Sequence, residues 1–85
     1  MKALRYNIVL RPEPEGGFTV MVPALPGCVT YGRNLRHAKR MAREAIALYL
    51  ESLVADGERV PAPGDTLMGD VEVPLPRRAK LAAHA

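Results

Sequence analysis

The chain has 85 residues, of which 48% are hydrophobic and 25% charged, and its formal net charge is +3. This length allows one domain, and the composition excludes wholesale disorder. A single cysteine excludes an internal disulfide, and no apolar run approaches the roughly 20 residues that cross a bilayer. We therefore expect one cytoplasmic domain, and the lack of Gln with abundant Ala, Arg and Pro suggests a thermophilic source.

The first part of the chain predicts three short β-strands. Apolar and polar residues alternate over 2–11, with the even positions facing the core, and prolines and glycines at 12–17 form a hairpin loop. Residues 18–22 predict a second strand and 28–31 a third, with a tight corner at 25–27 between them. Such short connections favour an antiparallel meander.

One long helix is predicted over residues 34–56. Asn34 suits its N-cap and Gly57 its C-terminal end, and apolar residues recur every three or four positions. The stripe contains Leu35, Ala38, Ala42, Ala45, Ile46, Tyr49 and Leu53. Because Ala is small, we expect this helix to lie close to the sheet. Met41 and Leu48 lie beside the stripe and are predicted to contact another subunit.

A fourth strand is predicted at residues 69–73, where alternation resumes before Pro74. The predicted fold class is α+β with the order β-β-β-α-β: an antiparallel three-stranded meander, a fourth strand and one helix packed on one face. Residues 1–76 are expected to form the domain, and 77–85 a basic tail with at most one helical turn. A thin core and an uncovered second sheet face favour a homodimer or tetramer.

Residues that could perform catalysis are few. Cys28 and His37 could act as nucleophile and base, but a strand thiol and a solvated histidine are the simpler interpretation. Asp70 and Glu72 share one strand face and could bind an ion, although a solvated face again explains them. Isolated histidines such as His37 and His84 do not make a zinc site. We expect no catalytic, metal-binding or cofactor-binding residues.

Three arginines form the most informative charged feature. Arg36, Arg40 and Arg43 are spaced to line one exposed helix face. Cations near a helix N-terminus are unfavourable by about 0.3–1 kcal/mol each. The face is either solvated at this small cost or an anion-binding surface for nucleic acid or an acidic protein patch. No aromatic residue lies among the arginines, which argues against base stacking.

The run 15–32, EGGFTVMVPALPGCVTYG, resembles the pattern of HicB antitoxins. That pattern has an acidic residue and glycines, a strand, P-x-L-P-G-C, a short strand and a glycine. A spaced A…EA signature in the helix and two prolines after it also match, at Ala38, Glu44, Ala45, Pro61 and Pro63. The resemblance covers roughly residues 4–73.

The resemblance implies a partial ribonuclease-H-like fold and an antitoxin that binds HicA, a small RNA-cleaving toxin, and covers its active site. Many family members carry a C-terminal DNA-binding segment, which we expect this chain to lack, and acids at the start of the helix, where this chain is basic. The expected toxin-binding residues are Leu25, Pro26, Gly27, Tyr31, Arg36, Arg40 and Arg43. The alternative is a stand-alone nucleic-acid-binding or regulatory oligomer that uses the basic helix face.

Overall fold

The computed structural model describes residues 2–64 and 67–82. The order of its elements is β1 (Val9–Pro12), β2 (Phe18–Met21), β3 (Val29–Gly32) and α1 (Leu35–Ala55). The strands form an antiparallel sheet in the order β1-β2-β3, and α1 packs on β3 and β2. The structure therefore confirms an α+β fold with a three-stranded meander followed by one long helix.

The strands are shorter than the alternation predicts because a strand extends only as far as its partner. Val9 pairs with Met21 and Pro12 with Phe18, so β1 contains only the end of the predicted strand. Pro23 lacks an N–H group, and β2 ends at Met21. Residues 4–8 precede β1 and run beside α1, with no neighbouring strand among the described residues.

The core lies between the sheet and α1 in two adjoining parts. Val20, Ala38 and Ala42 form one, and Val22, Leu25 and Cys28 form the other. The small helix residues bring α1 against the sheet: a Cβ atom built on Gly32 would lie 2.7 Å from the Cβ of Ala38 and closer to its backbone. Glycine is therefore required at this position, and the expected close approach is present.

Both ends of α1 have the predicted caps. The Asn34 side chain accepts a hydrogen bond of 2.8 Å from the backbone N–H of His37. At the other end Gly57 has a φ of 74°, and the Glu58 N–H donates to the Leu53 carbonyl at 2.9 Å. Leu35 from the predicted stripe is exposed, because the contact between α1 and the sheet begins at Ala38, where the helix passes over Gly32.

The predicted fourth strand at residues 69–73 is not part of the sheet. Residues 67–76 have no regular secondary structure, and Val71 and Val73 are 87% and 72% exposed. Alternation gives a segment strand propensity, but a strand forms only where the segment pairs with a neighbouring strand. The tail has a turn, in which the Ala79 N–H donates to the Pro76 carbonyl at 3.1 Å, where a helical turn was predicted. Asp65 and residues 83–85, with His84, lie outside the described residues.

We expect Gly32→Ala to destabilise the protein strongly, because its methyl group would force α1 away from β3. Overpacking of this kind costs about 3 kcal/mol. Gly64→Ala is the matched control, since a Cβ there meets nothing within 4 Å, and it should change the free energy of unfolding by less than about 0.5 kcal/mol. Urea unfolding followed by circular dichroism measures both. Equal stability of the two variants would contradict the close approach.

Candidate functional site

The sheet face opposite α1 carries a continuous row of apolar side chains. Val20 is buried against the helix, so the residues on either side of it in β2 face the other way. The register pairs Val9 with Met21 and Met21 with Val29, which places these three in one row across the sheet. Met21 and Val29 are 37% and 56% exposed.

A second row on the same face is more polar. It contains Arg11, Thr19 and Tyr31, which are paired across the three strands. Both rows together define the open sheet face: Val9, Arg11, Thr19, Met21, Val29 and Tyr31. The sequence predicted that the second sheet face is partly open, but Tyr31 is the single residue of this set that it assigned to partner binding. The other residues of the open sheet face could have been identified from the sequence, because they occupy alternate positions in the three strands.

The hairpin loop between β1 and β2 is held at one end of the open sheet face. The Tyr31 hydroxyl donates to the Gly16 carbonyl at 2.9 Å. Gly17 has a φ of 80°, and a side chain there would meet the Tyr31 ring. Glu13 accepts hydrogen bonds from Thr19 and, at 3.3 Å, from Arg11, and both lower the pKa of the Glu13 carboxyl. These contacts fix the position of the Tyr31 ring on the surface.

The corner at residues 25–27 joins β2 to β3 at the other end of that face. Leu25 is fully buried, and its backbone is tied to Val22 and Cys28 by hydrogen bonds of 3.0 Å. The Tyr49 hydroxyl of α1 donates to the Pro26 carbonyl at 2.8 Å. Leu25 therefore anchors the corner, whereas Pro26 and Gly27 are exposed.

The predicted partner-binding residues are thus divided between two layers of the molecule. Arg36, Arg40 and Arg43 are all exposed on α1, and the first turn of the helix contains no acidic residue. Tyr31 lies on the open sheet face, on the far side of the sheet from α1. A single flat surface cannot contact both groups.

A groove separates α1 from residues 4–8, which lead into β1. Its volume is about 570 Å³, and its apolar lining includes Ile8, Ala42, Ile46 and Leu50. We call it the edge groove. The Tyr6 hydroxyl at its margin donates to the Pro61 carbonyl at 2.7 Å, which holds the connector after α1 at this end of the sheet. Of the predicted subunit-contact residues, Leu48 is exposed and Met41 is half-buried.

Cys28 and His37 do not form a catalytic pair. Cys28 is buried in the core, and this burial raises the pKa of its thiol. The Nδ1 of His37 instead accepts a hydrogen bond of 3.0 Å from the Arg33 backbone N–H. Asp70 and Glu72 are exposed outside the sheet. Within the described ranges, no group of three His, Cys, Asp or Glu residues could hold a metal ion.

Comparison with known proteins gives a consistent family match. Residues 6–72 match the family described as HicB_like antitoxin of bacterial toxin-antitoxin system. Antitoxin HicB 1 of Photorhabdus laumondii is 35% identical over 81 residues, which are 95% of this chain and 52% of that protein. Antitoxin HicB of Escherichia coli K12 is 31% identical over 80 residues, 92% of this chain and 58% of that protein.

Shorter relatives match as well. A UPF0150 protein of Thermoplasma acidophilum is 38% identical over 58 residues, which are 68% of this chain and 84% of that protein. The chain spans only about half the length of the two named antitoxins. No helix in the described part of the chain is long and apolar enough to cross a membrane.

We expect His37 to titrate below its ordinary pKa of about 6.5. Partial desolvation lowers this pKa first, followed by the charges of Arg33 and Arg40, while Glu44 opposes the shift. The neutral ring is therefore favoured in the folded state. Stability linked to His37 is complete above about pH 6.5 and is lost as the pH falls below that value.

An NMR titration measures this pKa, with His37→Asn for assignment. Arg33→Gln should raise the pKa of His37, because it removes one of the two neighbouring positive charges. The fall in stability on acidification should be smaller in His37→Asn than in the wild type. A pKa of His37 above 6.5 would contradict the assigned environment.

Proposed function

The chain belongs to the family of HicB_like antitoxins, and we propose that it binds a HicA-like toxin and blocks access of RNA to the toxin's active site. The family match supports a regulatory protein rather than an enzyme. In this proposal inhibition is steric, so the antitoxin needs a stable contact surface and no reactive group. The toxin supplies the only active site of the complex.

We assign toxin binding to the open sheet face. The single observation that supports this choice is the apolar row of half-buried Val9 and exposed Met21 and Val29, which the sheet holds in fixed positions. An apolar centre bordered by polar side chains is typical of protein interfaces. Tyr31 adds an aromatic side chain, one of the types that contribute most to binding energy.

The distribution of charge supports the same surface. The chain has a formal net charge of +3, and a toxin that binds RNA is expected to be basic at its active site. Like charges across an interface oppose binding. Because Arg36, Arg40 and Arg43 lie on α1, a toxin docked on the open sheet face contacts none of them. The arginine on that face, Arg11, is paired with Glu13 at 3.3 Å. Pro26 and Gly27 then border the contact at the corner.

The toxin-binding surface can be tested with a matched pair of variants. Val29→Glu places a charge in the apolar row, whereas Val54→Glu places it at a valine of α1 that is 65% exposed. Against the small protein encoded beside the antitoxin gene, Val29→Glu should weaken binding about 100-fold, the effect of losing roughly 3 kcal/mol at an interface centre. Val54→Glu should bind within threefold of the wild type.

Co-purification and calorimetry measure the binding, and protection of RNA from the toxin measures inhibition. Inhibition should be lost in parallel with binding. If Val29→Glu binds normally while Arg36→Glu with Arg40→Glu does not, the toxin-binding surface is on the helix. If the wild type does not bind the neighbouring protein, the proposed function itself is wrong.

The alternative function, nucleic-acid binding, is favoured by one specific observation. Arg36, Lys39, Arg40 and Arg43 are all exposed on α1, near a helix N-terminus that has no acid in its first turn. Clustered cations of this kind can follow a phosphate backbone. This function would use the opposite side of the molecule from the open sheet face, so the two candidates can be separated.

Titration with duplex DNA and with RNA at 50 and 200 mM salt tests this alternative. Each phosphate contact contributes about −0.9 to the slope of log K against log salt for duplex DNA. Replacing Arg36, Arg40 and Arg43 with Gln should therefore make the slope shallower by roughly three, if all three contact phosphates. No binding of the wild type at 50 mM salt excludes this function.

We also propose that the chain acts as a homodimer or tetramer. The exposed apolar side chains outside the sheet, including Leu48, support self-association.

A further inference from the structure

We propose that residues 67–76 form an exchange arm, which in a dimer lies in the edge groove of a second copy and pairs with the free edge beside its β1. The arm then supplies a fourth strand to the partner's sheet. This inference concerns self-assembly, and it holds whether or not the antitoxin binds the toxin proposed above.

The edge groove has the features of a strand-binding site. Within the described residues β1 has a neighbour, β2, on one side only, and residues 4–8 continue the same edge. The groove beside this edge has an apolar floor that includes Ala42, Ile46 and Leu50 of α1. A strand placed there would complete the sheet and cover the floor in one step.

The arm has the features of the missing strand. Every residue from 67 to 76 is exposed, including Leu67, Val71, Val73 and Leu75. Exposure of such an alternating apolar segment to water is unfavourable, and it favours pairing with another strand. Pro74 and Pro76 at its end limit the length of strand that can pair.

The charges of arm and groove are complementary. The ionisable side chains that line the groove are basic apart from Tyr6, namely Arg5, Lys39 and Arg43. The arm contains two acids, Asp70 and Glu72, and no base. With Val71 and Val73 directed at the helix, both acids lie on the other face of the sheet. The basic side chain that can pair with them is therefore Arg5 of the edge segment, and not Lys39 or Arg43 of α1.

The position of the arm favours exchange over insertion into the chain's own groove. The 2.7 Å hydrogen bond from Tyr6 holds Pro61 at the margin of that groove, yet every residue of the arm is exposed and none of them lines it. The radius of gyration is 16.4 Å, against about 12 Å for a compact chain of this length. Two copies related by a twofold axis can exchange arms reciprocally, which leaves both grooves filled.

Charge reversal tests the exchange. Arg5→Glu makes a groove variant, and Asp70→Lys with Glu72→Lys makes an arm variant. Light scattering and analytical ultracentrifugation should show that each variant alone dimerises at least tenfold more weakly than the wild type. An equimolar mixture should recover wild-type affinity within about threefold, because each groove then meets an arm of opposite charge.

The mixture distinguishes exchange from the other arrangements. Insertion of the arm into its own groove predicts a monomeric wild type and no recovery on mixing, and either result overturns the proposal. Arg40→Glu makes the same charge change on α1, outside the edge groove, and should leave dimerisation unchanged. Circular dichroism confirms that each variant is folded. Variants that are folded and dimerise as tightly as the wild type would place the contact elsewhere, and the exchange would then be excluded.

Discussion

The close contact between Gly32 and Ala38 determines where α1 lies, and the position of α1 determines both candidate surfaces. With no side chain at Gly32 and methyl groups at Ala38 and Ala42, the helix packs tightly on β3 and β2. It therefore leaves the β1 side of its own apolar stripe uncovered, which creates the edge groove. Because the whole helix lies on one side, the opposite sheet face stays open.

The ends of the helix were predicted correctly, because they depend on residues that are close together in the sequence. Asn34 and Gly57 set the ends of α1 through hydrogen bonds to residues within one turn, so the amino-acid sequence is sufficient to identify them. Strand lengths depend on distant partners instead. Residues 2–8 and 69–73 alternate as clearly as β1 does, but neither segment has an antiparallel partner within the described chain. Alternation shows which face of a strand is apolar and not whether an edge is available to it.

The candidate site was harder to predict for the same reason. Leu25 was expected at the partner surface but is fully buried. The prediction failed because a corner of three residues has no periodicity that distinguishes inward from outward side chains. The row of Val9, Met21 and Val29 depends on the register of three strands, which no single segment contains. Arg36, Arg40 and Arg43 were correctly expected on the exposed face of α1, because helical spacing is local.

Toxin binding at the open sheet face and arm exchange at the edge groove are related, because the exchanged arm would place Asp70 and Glu72 on the open sheet face. A strand added beside β1 with Val71 and Val73 toward α1 directs Asp70 and Glu72 to the side of the open sheet face. The apolar row would then gain an acidic border, supplied by the second copy, next to Arg5. Such a border would favour binding of a basic toxin, whereas the net charge of +3 on the chain opposes it. Self-assembly and toxin binding would thus be coupled through a single strand, with the dimer as the better toxin-binding form.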